Sequence, residues 1–89
     1  MRVNISPRFD RSYKKLENDL QNDFDEKFPI FVENPNDQRL KTHKLKGSLT
    51  ECYAFSLLRG YRVLFEYAKP DLANMLDVGS HDKYKQWSK

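Results

Sequence analysis

A single cysteine, Cys52, excludes an internal disulfide and sets a reducing, cytoplasmic location as the expectation. Between Glu51 and Tyr53 on an alternating stretch, it reads as a small buried residue and not as a nucleophilic thiol. No apolar run approaches the roughly 20 residues that a membrane span needs, and the N-terminus lacks the apolar core of a signal peptide. No glycine loop is built to cradle a phosphate, which argues against nucleotide hydrolysis. His43 and His81 lie far apart, with no cysteine or carboxylate cluster at ligand spacing, so neither a metal site nor a cofactor is expected. Internal repeats and low-complexity tracts are absent. Residues 1–89 read as one small domain with a thin core, for which a bound partner would add stability.

What the chain does have is aromatic mass and unevenly placed charge. Aromatic residues make up 13% of it, enough for a core built from few side chains. Residues 1–37 carry six Lys/Arg against eight Asp/Glu, whereas residues 38–69 carry seven against two. The middle of the chain is therefore a cationic region on a mildly acidic base. It is either a solvated basic surface or a site for a polyanion.

The apolar spacing changes period near Leu40. Before it, Phe9, Tyr13, Leu16 and Leu20 form a helical stripe that continues through Phe24, Phe28 and Phe31, best read as two helices in a hairpin. Ser6-Pro7 starts the first helix, after a short strand over Arg2–Ile5. Asn18, with Gln21 three residues later, is the expected cap of the second. Pro29 predicts a kink or a break in it, and Asn34-Pro35 ends it. After Leu40, Tyr53, Phe55 and Leu57 alternate with small residues, and Tyr61, Val63, Phe65 and Tyr67 alternate with Arg62, Leu64 and Glu66. These are two strands with Arg59-Gly60 in the turn between them, and Leu72–Val78 is a third. Asp82–Trp87 is a short terminal helix or a tail. The fold class is α+β: a helical hairpin on one face of a small antiparallel sheet, whose other face, with Arg62 and Glu66, is expected to lie open to a nucleic-acid strand.

Four side chains in this stretch carry the chemistry. Cutting RNA without a metal needs a base for the 2′-hydroxyl, an acid for the leaving 5′-oxygen and a cation for the charged phosphorane. His43 and His81 suit the first two tasks, without an assignment of which does which, and Arg62 suits the third. Tyr84 can stack on a base. Each has a plainer reading. His43 is also an exposed residue on a basic strand edge, and His81 a turn residue bonded to Asp82. Arg62 can pair with Glu66, and Tyr84 can pack on Trp87.

The motifs Leu45-Lys46-Gly47-Ser48-Leu49, Cys52-Tyr53, Gly60-Tyr61-Arg62-Val63-Leu64-Phe65 and Val78-Gly79-Ser80-His81-Asp82-Lys83-Tyr84, in that order over nearly the whole chain, resemble the RelE/ParE superfamily of toxins from bacterial type II toxin–antitoxin pairs. The resemblance implies a ribosome-dependent mRNA endoribonuclease (an mRNA interferase) of the RelE/YafQ-like branch. It implies catalytic roles for His43, Arg62, His81 and Tyr84, with Lys41, Lys44 and Lys46 on the RNA. The implied partners are a cognate antitoxin, mRNA and the ribosomal A site. Two other readings stay open: a ParE-like inhibitor of DNA gyrase, and an inactive binding protein of the same fold. The sequence departs from the family at Ala54 and Ser56, where some members carry lysine.

Overall fold

The computed structural model describes residues 1–47 and 51–87. Ser48 and Leu49 of the first motif lie outside the described residues. The elements are β1 (Arg2–Ile5), α1 (Pro7–Lys14), α2 (Asn18–Glu33), β2 (His43–Lys44), β3 (Cys52–Ser56), β4 (Arg62–Lys69), β5 (Leu72–Gly79) and α3 (His81–Trp87). The sheet order is β1-β5-β4-β3-β2. β1 pairs with β5 in parallel, Arg2 opposite Leu72, and every other pair is antiparallel. The expected α+β architecture is present, with one parallel edge added to the antiparallel sheet.

Local chemistry explains most of the helical boundaries. Ser6 caps α1 by accepting a hydrogen bond from the Phe9 N–H at 3.0 Å, with Pro7 at the first helical position. The second cap differs from expectation. Glu17 is the N-cap of α2 and makes no side-chain cap, while the Leu20 N–H donates to Asp19 Oδ1 at 2.9 Å. Gln21 does not reach back to Asn18. Its amide donates to the Tyr13 carbonyl at 2.9 Å, which also accepts from the Leu16 N–H, and so stitches the hairpin together. Nor does α2 break at Pro29, since it continues to Glu33 with the proline inside. Pro29 is exposed, and Phe28 and Phe31 on either side of it hold the helix to the core. Packing outweighs the one lost backbone hydrogen bond.

The core lies between the hairpin and one sheet face. Phe9, Leu20, Phe24 and Phe31 meet Phe55, Val63, Phe65, Met75 and Val78, all buried. Phe31 stacks on Phe55 at 5.3 Å between centroids and meets Phe65 edge-on at 4.8 Å. Burial of each such ring contributes about 1.5–3 kcal/mol. On β5 the inward alternation of Ala73 and Met75 resumes at Val78, because the register slips opposite Leu64 and Phe65.

The opposite face corrects the expected open surface. Leu45, Cys52, Ala54, Leu64 and Trp87 form a second buried cluster there, with Leu76 and Tyr84 packed against it. The residues read as a terminal helix or tail are α3, and Trp87 folds it over the sheet. Ala54 is fully buried beneath this cover, so a lysine in its place would bury its charge.

The chain enters β2 through a short 3-10 turn, Gln38–Leu40, capped by Asp37. Asp37 accepts from both the backbone and the side chain of Arg39, which holds its carboxyl down at about 2, mainly through the side-chain hydrogen bond. A depressed folded-state value gives stability that is present above the ordinary carboxylate range and is lost as pH falls through about 2. Asp37→Asn is therefore expected to lower the melting temperature slightly at neutral pH. The gap between variant and parent should close as the medium is acidified towards that value, in paired thermal melts.

Candidate active site

Tyr84 is the point on which the candidate site converges. It sits in the first turn of α3, whose N-terminal residue is His81. The His81 ring lies 6.0 Å from the Tyr84 ring, nearly parallel to it. His43 comes from the edge strand β2 and meets the same ring edge-on at 5.6 Å. The Arg62 guanidinium, from the start of β4, stands over it at 5.2 Å. Side chains separated by up to 41 positions are thus gathered around one phenol.

The hydrogen bonds of His43 fix its neutral tautomer. Nδ1 lies 3.1 Å from the Lys41 carbonyl, which can only accept, so Nδ1 carries the proton. Nε2 then holds the lone pair and accepts the Tyr84 O–H at 2.8 Å. Lys41 makes this possible through its left-handed backbone, φ 52, where the turn ends. The lysine acts here through its carbonyl, and its side chain does not line the cavity beside His43.

That cavity, about 360 Å³, is lined by His43, Lys44, Lys46, Tyr84 and Lys85. Lys44 and Lys46 were expected there. Lys85 was not, although it follows His81 by four positions and shares a face with it on a helix. Other cations of the middle segment are used structurally. Arg59 pairs with Asp19 at 2.9 Å and Glu17 at 3.4 Å, tying the β3–β4 turn to the start of α2. Arg39 pairs with Asp37.

Arg62 does not pair with Glu66, which instead accepts from Asn74 at 3.1 Å. Among the described residues no carboxylate pairs with Arg62. One terminal nitrogen donates to the Tyr61 carbonyl at 3.3 Å, and the buried Nε has no partner. Its cross-strand neighbours are Ser56 and Gly79, both small, which leaves the guanidinium uncrowded. His81 is exposed and makes no turn bond to Asp82; the stacking on Tyr84 is its described contact. Tyr84 does pack on Trp87, at 6.4 Å and edge-on, so the plainer reading of that residue holds beside the functional one.

The remaining candidates for reactive chemistry are weak. Burial pushes the Cys52 thiol up, with help from Glu66 and Glu51, which disfavours a thiolate nucleophile. Among the described residues no three His, Cys, Asp or Glu side chains gather where they could hold a metal ion. No described helix is long and apolar enough to cross a membrane. A proton acceptor bonded to a phenol, an exposed imidazole, a guanidinium with no described carboxylate partner and a lysine-lined hollow are the equipment for moving protons beside a phosphate.

No family model matches the chain, and no curated protein matches it in sequence. Solved structures do match. YafQ from E. coli strain BL21(DE3) superposes with a TM-score of 0.74 at 14% identity, over 94% of this chain and 98% of that one. The RelBE2 toxin–antitoxin complex from Mycobacterium tuberculosis contains a chain with a TM-score of 0.74 at 17% identity, over 89% of this chain and 95% of that one. Isolated E. coli RelE gives 0.69 at 20%, covering 96% and 92%. The chain has the fold of the RelE/ParE toxins.

Proposed function

We propose that the chain is the toxin of a type II toxin–antitoxin pair and acts as a ribosome-dependent mRNA endoribonuclease. The observation that carries this reading is the convergence of His43, Arg62 and His81 on Tyr84 beside a hollow lined by three lysines. A gyrase inhibitor of the same fold would need a basic face, but not two histidines flanking a phenol.

The geometry supports a division of labour that sequence left open. A 2′-hydroxyl placed against Tyr84 Oη passes its proton to the phenol as the phenolic proton moves to His43 Nε2. His43 thereby becomes an imidazolium, still donating from Nδ1 to the Lys41 carbonyl. The 2′-oxygen attacks phosphorus, and Arg62 takes the developing charge on the non-bridging oxygens. His81, stacked on the same ring, gives a proton to the 5′-oxygen as the P–O bond breaks. The products are a 2′,3′-cyclic phosphate and a free 5′-hydroxyl. Lys44, Lys46 and Lys85 neutralise the neighbouring phosphates, with Lys41 contributing charge from the same edge. Cytoplasmic mRNA in the ribosomal A site is the proposed substrate.

The E. coli structures include a DinJ–YafQ complex and an intact RelBE toxin–antitoxin complex. By analogy, a cognate antitoxin is the proposed partner of this chain.

The test is a translating-ribosome assay run beside a gyrase supercoiling assay. Cut mRNA with unaffected supercoiling is expected, and the reverse pattern would establish gyrase inhibition in its place. Lys44→Gln/Lys46→Gln/Lys85→Gln should weaken RNA binding and flatten its dependence on salt, since each lost phosphate contact reduces the slope by about 0.7–0.9. An unchanged slope would mean the lysine hollow is not on the RNA path.

A further inference from the structure

Asp77 is a carboxylate that the mechanism leaves unused, and it is 1% exposed. It sits near the end of β5. Its Oδ1 accepts from Ser12 of α1 at 2.6 Å, from Lys83 of α3 at 3.0 Å and from the Val78 N–H at 2.9 Å. Lys83 also donates to Ser12 Oγ at 3.2 Å, which closes a three-membered network between α1, β5 and α3. Oδ2 has no hydrogen-bond partner, and Arg8 Nε stands 3.9 Å away on an exposed side chain. The acid is thus heavily committed to Lys83 and Ser12.

Two features show that this network holds α3 and is not incidental packing. A cavity of about 310 Å³ borders Ser12, Tyr61, Gly79 and Lys83, so Lys83 is open on that side and its ammonium is held by its polar partners. Gly79 has the close approach that this lysine requires. A methyl group there would come within 2.3 Å of Lys83 Cδ, so the stem crosses the end of β5 only because position 79 has no side chain. Lys83 is two residues beyond His81 and one before Tyr84. The same helical turn therefore carries the network's cation, the Tyr84 ring that meets His43 and Arg62, and the His81 ring stacked on Tyr84.

We propose that Asp77, Ser12 and Lys83 form a positioning latch that sets the angle of α3 on the sheet, and through it the Tyr84–His43 hydrogen bond and the place of His81. This rests on the cleavage reading for its catalytic consequence, but the hydrogen bond it controls is observable without any substrate. A buried acid aimed at the helix that bears the reacting groups fixes them to within a fraction of an ångström, and small misplacements are costly to catalysis.

The decisive variant is Asp77→Asn/Lys83→Met, which removes both charges together so that no buried charge is left unpaired. Melting temperature, the ¹⁵N spectrum of the His43 imidazole, RNA affinity and cleavage rate on ribosomes are measured side by side. A latch predicts a melting temperature near that of the parent and unchanged RNA affinity. It also predicts a shift of the His43 Nε2 resonance, as the bond from the Tyr84 O–H is lost while Nδ1–H stays on the Lys41 carbonyl, and a cleavage rate reduced about 10–100-fold. A folded double variant with the parent's His43 spectrum and rate overturns the latch, because a purely structural role would be restored with stability. If the double variant does not fold, Ser12→Ala decides. It keeps the ion pair and removes the hydroxyl that both partners share, and a parent-like spectrum there also overturns the proposal. If the spectrum changes as expected while neither parent nor variant cuts mRNA, the latch stands and the proposed nuclease activity falls.

Discussion

His43→Asn is expected to lower ribosome-dependent cleavage by about 10²–10⁴-fold, the usual worth of one acid–base group, while the protein stays folded. The choice of asparagine follows from the hydrogen bonds. Its amide nitrogen can still donate to the Lys41 carbonyl in the place of Nδ1, but nothing replaces Nε2 as the acceptor for Tyr84. β2 is a two-residue edge strand and His43 is only half-buried, so the substitution removes little packing. Single-turnover cleavage with a thermal melt on the same sample separates chemistry from folding. A parent-like rate would mean that His43 is not the proton acceptor and that its bond to Tyr84 is structural. Tyr84→Phe should fall less far than His43→Asn, since the 2′-hydroxyl can then approach Nε2 directly.

Trp87→Ala is expected to destabilise the protein by about 3 kcal/mol, the range for removing a buried tryptophan from a core. Trp87 is 9% exposed and anchors α3 to Leu45, Cys52, Ala54 and Leu64. In a domain of this size that is a large share of total stability. The effect on the site should exceed the effect on the hairpin. Denaturant titration followed by Tyr84 and by far-ultraviolet circular dichroism should show α3 detaching before the main core melts. A single coincident transition at the parent midpoint would show that Trp87 merely rests on the surface of β3 and β4.

The aromatic core was readable because its spacing is physical. A stripe at three and four residues buries one side of a helix, and strict alternation buries one side of a strand. That is why the hairpin, the strands β3, β4 and β5 and the cap at Ser6 all follow from the chain alone. The convergence of His43, Arg62 and His81 was partly readable as well, from residue types suited to phosphate chemistry and from the resemblance at Leu45–Leu49 and Val78–Tyr84. The local rules failed where a long-range contact competed with them. Gln21 has the right spacing for a capping box, but its amide is taken by the Tyr13 carbonyl of the other helix. Pro29 has the right chemistry to end a helix, but the flanking Phe28 and Phe31 hold α2 to the sheet.

By itself, then, the sequence determined the class of the fold, the helical hairpin, the main strands and the residue types that can handle a phosphate, because each depends on near neighbours and periodicity. Only the tertiary structure decided that α3 closes over the second sheet face, that Ala54 is small because Trp87 lies above it, and that Lys85 joins Lys44 and Lys46. It also decided which nitrogen of His43 accepts the Tyr84 O–H and where Asp77 sits, since both depend on atoms brought together from distant parts of the chain. Periodicity shows which face of an element is apolar. It carries no information on which distant side chain will meet that face, and at Tyr84 and Asp77 such meetings join residues from distant parts of the chain.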